Sequence, residues 1–210
     1  AWLIKHADEY NIDPEKIVIS GSSAGAINSM NAEYYLCNGH ELATKTLPAG
    51  FNYAGVVPMA GAVYLTGDND TELVWKSKPC PICFFHGSTD PTVTFDVENR
   101  MGRHGFGPNY VSKQLYTMDV PFMLNEYFGG DHVMALLPLK FFWNEIDSFL
   151  DRIVLGGENL KIHAVERSPK PRTDANFLED VRPGQQAAIE RMRAQGGNNA
   201  RPQGGAPQGA

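Results

Sequence analysis

Apolar positions along this 210-residue chain switch between two spacings. Leu3, Ala7 and Tyr10 recur at i, i+4 and i+7, one face of a helix, and Asn11-Ile12-Asp13-Pro14 then supplies turn chemistry and a proline that ends it. Ile17-Val18-Ile19-Ser20 is a short β-branched run between turn signals, which predicts a parallel strand buried on both faces. Residues 53–59, 82–86 and 122–128 are further buried-strand candidates, and helices are predicted over 27–37 and 110–118. Beyond His132, the residues Phe142, Ile146, Phe149, Leu150 and Ile153 follow i, i+4, i+7, i+8 and i+11, the pattern of an amphipathic helix. Strands separated by crossover helices imply a mostly parallel sheet and the α/β class.

The pattern weakens past Gly156. Residues 157–183 are polar, contain Pro169, Pro171 and Pro183, and offer only the scattered apolar positions Ile162, Val165, Phe177 and Leu178. So little apolar surface does not offset the entropy of ordering, which predicts an extended tail. Residues 185–194 have the composition of one helical segment, and 195–210 are low-complexity and predicted to be disordered. The expected organisation is a folded domain over residues 1–156 and a largely disordered tail over 157–210.

Charge narrows the function classes. The chain carries a net charge of −6, with 10 basic and 18 acidic side chains in residues 1–156 against 8 and 6 in the tail. The folded part has no broad positive field with which to collect nucleic acid or anionic lipid. The longest apolar run, residues 53–65, is 13 residues and is interrupted by Gly55, Pro58 and Gly61. A bilayer span needs roughly 20, so no membrane span is expected. The chain opens with Ala1 inside a predicted helix, without an initiator Met or the marks of a signal peptide, so an upstream segment is expected. Cys37, Cys80 and Cys83 are too few for a disulfide framework, and Cys80-x-x-Cys83 sits in a strand-like run that points the two thiols apart, so buried apolar thiols are expected.

The motif with chemical content is Gly21-x-Ser23-x-Gly25, placed between a β-branched strand and a helix. In that context it reads as a nucleophile elbow, and the alternative is a small-residue turn that binds phosphate. In the elbow, the Ala24 N–H at the helix N-terminus donates to a developing oxyanion. A serine hydroxyl needs a base, and the base an orienting carboxylate. The strand over 82–86 ends in His86-Gly87-Ser88-Thr89-Asp90, and that over 122–128 leads into Gly129-Gly130-Asp131-His132, which puts Asp90 and His132 in loops at the same sheet edge. The chain order Ser, Asp, His is that of α/β-hydrolases.

Together, Asn11-Ile12-Asp13-Pro14-Glu15-Lys16-Ile17 leading into Gly21-Ser22-Ser23-Ala24-Gly25, the segment His86-Gly87-Ser88-Thr89-Asp90 with Val93, and Gly130-Asp131-His132 resemble the carboxylesterase branch of the α/β-hydrolase fold. The resemblance covers residues 1 to about 155. It implies Ser23 as nucleophile, His132 as general base and then acid, Asp90 as the residue that fixes the imidazole tautomer, and the Ala24 N–H as one oxyanion donor. The implied reaction is hydrolysis of a small-molecule or carbohydrate ester through an acyl-enzyme, with no metal or organic cofactor. Members of that family carry a His-Gly-Gly loop after an earlier strand. No such loop lies ahead of the elbow here, so the chain resembles the C-terminal part of that fold, and Ala26 stands where many relatives have Gly.

Other assignments remain. Ser22 is out of phase with the glycines, Asp96 lies further from the strand end and reads as an early-helix residue, and Asp131 reads as part of the loop. His6, His40, His104 and His163 have no metal-binding spacing and read as surface residues. The segment 58–64 follows the second strand's edge and is expected to line an acyl pocket, while the glycine-rich stretch 100–108 reads as a solvated loop. Two alternative functions share the motifs: a serine peptidase of the prolyl-oligopeptidase type, and a non-catalytic remnant of the fold.

Overall fold

The computed structural model describes residues 1–66, 71–100 and 102–167. Residues 168–183 of the expected extended tail, the region 185–194, expected to be helical, and the low-complexity end 195–210 lie outside the described residues. Two single-turn helices, α1 (Trp2–Lys5) and α2 (Ala7–Tyr10), occupy the first predicted helix and end at Asn11, which takes a left-handed conformation (φ 53°). A 3₁₀ turn over Pro14–Lys16, capped by the Asp13 carboxylate, leads into β1 (Val18–Ser22). There follow α3 (Ala24–Cys37), α4 (Glu41–Thr44), β2 (Gly55–Met59), β3 (Val63–Leu65) and β4 (Ile82–Gly87). The hairpin of β5 (Val97–Arg100) and β6 (Arg103–Phe106) precedes α5 (Pro108–Thr117) and β7 (Phe122–Tyr127). A 3₁₀ turn (His132–Ala135), α6 (Pro138–Phe141), α7 (Trp143–Ser148) and a π-helical stretch (Phe149–Leu155) lead to β8 (Lys161–Glu166).

Among the described residues the main sheet has five strands in the order β1-β2-β4-β7-β8, and every neighbouring pair is parallel. The α/β class with a mostly parallel sheet is therefore what the chain adopts. Its central strands are apolar on both faces: all residues of β2 and β4 are buried, as parallel strands covered by helices require. Phe149 is fully buried over β2, in a space left by Gly55, where an added Cβ would lie 3.1 Å from the ring.

Three expectations change. First, residues 161–166, assigned to the tail, form β8, which pairs with β7 from Phe122↔Lys161 to Tyr127↔Glu166. The folded domain therefore runs past Gly156. The strand was hidden because among the described residues it pairs on one side only and has most of its side chains exposed, so it needs no continuous apolar run. Second, β1 is half-exposed rather than buried, because among the described residues it pairs on one side only, with β2. Third, the stretch read as a solvated loop is the β5–β6 hairpin, which joins β3 in a three-stranded antiparallel sheet. Asn31 of α3 anchors that sheet by mimicking a strand partner. Its side-chain amide donates to the Tyr64 carbonyl at 2.8 Å and accepts the Tyr64 N–H at 3.0 Å.

The three cysteines are buried and free. Burial raises all three thiol pKa values, that of Cys37 to about 12, which makes them poor nucleophiles. No helix among the described residues is long and apolar enough to cross a membrane.

Candidate active site

Ser23 occupies the link between β1 and α3. Its backbone has φ 51° and ψ −116°, a strained conformation for a non-glycine residue. Two features hold it there. The Ser23 N–H donates to the Met59 carbonyl at the end of β2, at 2.9 Å. Gly21 faces the first turn of α3 so closely that a Cβ on it would stand 2.2 Å from the Gly25 carbonyl carbon. Gly25 by contrast faces open space, so of the two glycines only Gly21 is required by close packing.

The strain sets the serine side chain toward the loop after β7. Ser23 Oγ lies 2.8 Å from His132 Nε2, and His132 Nδ1 lies 2.8 Å from Asp90 Oδ2. Three residues from three sequence-distant loops thus form one hydrogen-bonded line. Asp90 Oδ1 in addition accepts the N–H groups of Thr92 at 2.8 Å and Val93 at 3.0 Å. Burial works against the Asp90 charge, but the hydrogen bond to His132 and those two backbone donors outweigh it and hold the carboxyl below its usual range. An ionised Asp90, able only to accept, places the proton of neutral His132 on Nδ1 and leaves Nε2 to accept from the serine hydroxyl.

The loops that carry Asp90 and His132 are built against each other. Thr89 donates both its N–H and its hydroxyl to the Gly130 carbonyl at 3.0 Å, and Gly129 N–H donates to Ser88 Oγ at 2.8 Å. Gly87 allows this approach, since a Cβ there would stand 2.3 Å from the Gly130 oxygen. The Asp131 carboxylate accepts the Val133 N–H and caps the turn that carries His132, the loop role its position suggested. Ala24 is exposed at the first position of α3, where a helix leaves its N–H without an intrahelical acceptor.

The other candidates lie elsewhere. Ser22 donates its hydroxyl to the Ala135 carbonyl, which ties the elbow to the turn after His132. Asp96 lies ahead of β5, in no helix, and its carboxylate accepts from the Asn109 side chain. His6 stacks on Trp2, His40 caps α4, His104 lies on β6, and His163 pairs with Glu126 across β8 and β7. The segment expected to line an acyl pocket is instead core: Met59, Ala60, Ala62 and Val63 are buried, and Gly61 packs against Ala26 of α3. Among the described residues, no group of three or more His, Cys, Asp or Glu side chains is placed to hold a metal ion.

Sequence reasoning gave His86 no role. Its signal was present, since a histidine embedded after Phe84-Phe85 at a strand end must be buried and needs a partner. Compared with sequence models of protein families, with curated proteins and with solved structures, the chain matches none of them.

Proposed function

We propose that this protein is a serine hydrolase of the α/β-hydrolase fold that cleaves carboxylic esters through an acyl-enzyme. The observation that carries the reading is the continuous line from Ser23 Oγ through His132 to Asp90, with both hydrogen bonds at 2.8 Å. Its support in the fold is the position of the three residues, after β1, β4 and β7 of a parallel sheet, in the chain order Ser, Asp, His.

In this reading His132 Nε2 takes the Ser23 proton as Oγ attacks the ester carbonyl. The imidazolium so formed is stabilised by Asp90, and the developing oxyanion by the Ala24 N–H at the positive end of α3. Collapse expels the alkoxide, which receives the proton from His132. Water then attacks the acyl-serine with His132 as base again, and the carboxylic acid leaves.

The test is hydrolysis of p-nitrophenyl esters, acetate against longer acyl chains, alongside Ser23→Ala and labelling by a fluorophosphonate. Turnover and stoichiometric labelling that both vanish in Ser23→Ala support the reading. Folded protein that neither hydrolyses nor labels overturns it, and labelling with amide but no ester cleavage redirects it to a peptidase.

A further inference from the structure

A second histidine stands behind the acid of this line. His86 is on β4, four residues before Asp90, and its side chain is 1% exposed. Its Nε2 lies 3.0 Å from the Val93 carbonyl oxygen and 3.5 Å from Asp90 Oδ2. A carbonyl oxygen only accepts, so the proton of the imidazole sits on Nε2. The ring is tilted against Phe95, with centroids 5.8 Å apart.

Val93 connects this imidazole to the acid. Its N–H donates to Asp90 Oδ1 at 3.0 Å, while its carbonyl accepts from His86. The peptide that bears this carbonyl is held from its other side as well, because the Thr94 N–H donates to the Tyr64 hydroxyl at 3.4 Å, and that hydroxyl donates to Glu98. The backbone that presents a donor to Asp90 is thus clamped between His86 and Tyr64.

We propose that His86 is a positioning residue, which through Val93 sets the orientation of the Asp90 carboxylate toward His132. The proposal rests on the reading of Ser23, His132 and Asp90 as one catalytic line. Its neutral form suits the task. Burial holds its pKa down at about 4, with the Val93 hydrogen bond and the charge of Asp90 opposing and the charge of His132 adding to the depression. An imidazolium at 3.5 Å from Oδ2 would compete with His132 for the same oxygen.

The test uses ¹⁵N-histidine NMR, which follows the His132 Nδ1–H and the titration of its ring without requiring turnover. Three variants of the full chain are compared. His86→Gln keeps an amide donor about where Nε2 stands. His86→Phe keeps the ring and its packing on Phe95 but has no donor. His86→Asn stays polar but is too short to reach the Val93 carbonyl, and it serves if the Phe variant does not fold.

The expected result is that His86→Phe and His86→Asn lose the deshielded Nδ1–H signal and lower the His132 titration midpoint by about one unit, a tenfold loss in imidazolium stabilisation. His86→Gln recovers both. In ester hydrolysis the donor-less variants lose about 10- to 100-fold in kcat with KM unchanged, the pattern of a defect confined to the transition state. The proposal is overturned if a folded donor-less variant keeps the wild-type signal and midpoint, or if His86→Gln fails in the same way as His86→Phe. Failure of the esterase reading shows separately, as absence of Ser23-dependent turnover and labelling in the wild type.

Discussion

Ser23 Oγ and His132 Nε2 stand 2.8 Å apart although 109 residues separate them in the chain. The contact exists because β1 and β7 are parallel strands of one sheet, so both release their following loops at the same edge. It also needs the strained backbone of Ser23, which a relaxed turn would not impose.

Removing the Ser23 hydroxyl, the nucleophile of the proposed mechanism, tests that contact most directly. Ser23→Ala is expected to lower kcat for p-nitrophenyl acetate by at least ~10³-fold while leaving the thermal melting curve nearly unchanged. An equal rate in the variant would assign the hydrolysis to another group.

Asp90→Asn keeps the shape of the side chain but no longer demands a proton on His132 Nδ1. A loss of roughly 10³- to 10⁴-fold in kcat is expected from the wrong tautomer, read in the same assay at neutral pH.

The two elbow glycines should respond in opposite ways. Gly21→Ala drives a Cβ into the backbone of Gly25, at 2.2 Å, and is expected to cost about 1–3 kcal/mol or more in urea unfolding. Gly25→Ala meets open space inside a helix, and removing glycine there is expected to stabilise by up to about 1 kcal/mol. Equal effects at the two positions would contradict the asymmetry of the turn.

Acid should destabilise the fold in two windows. His86 has its pKa lowered from 6.5 to about 4, so between those values the unfolded chain binds the proton more readily than the folded one. Stability is then complete above about pH 6.5 and declines as pH falls toward 4, by roughly 3 kcal/mol at ~1.4 kcal/mol per unit. The depressed Asp90 acts lower: its contribution is present above 3.8 and is lost as pH falls through its folded value. Urea midpoints measured from pH 8 to 3 should show the upper slope in the wild type and its absence in His86→Gln.

Ending the chain at Gly156 removes β8 and leaves β7 as an exposed edge, although Phe122, Met123 and Leu124 are buried. Such a truncation is expected to aggregate or to melt earlier than a chain ending at Arg167, as checked by size-exclusion chromatography and thermal melting.

Much of this arrangement was legible in local sequence. The apolar-rich runs that form β2, β4 and β7 declare themselves because strands covered on both faces need largely continuous apolar side chains, and the β-branched run leading into β1 marks that strand although it is half-exposed. The Gly21-x-Ser23-x-Gly25 turn, Asp90 and His132 were readable because each sits just past such a run. β8 was not readable, since the exposed edge strand Lys161–Glu166 is held by backbone hydrogen bonds to β7 and these leave no side-chain pattern. The β5–β6 hairpin was missed for a similar reason: its residues carry few apolar side chains, and Gly105 fits there because a Cβ would stand 2.7 Å from the Tyr64 ring.

By itself, the sequence determined the α/β alternation, the strand-to-helix elbow at Ser23 and the order of the three chemical residues, because these depend on local periodicity and turn chemistry. Tertiary structure alone decided that Ser23, His132 and Asp90 meet, that β1 and β8 are the outer strands of the sheet among the described residues, and that His86 grips Val93 behind Asp90. Those facts depend on which strands pair and how closely two loops approach, and pairing between distant segments is set by the packing of the whole sheet.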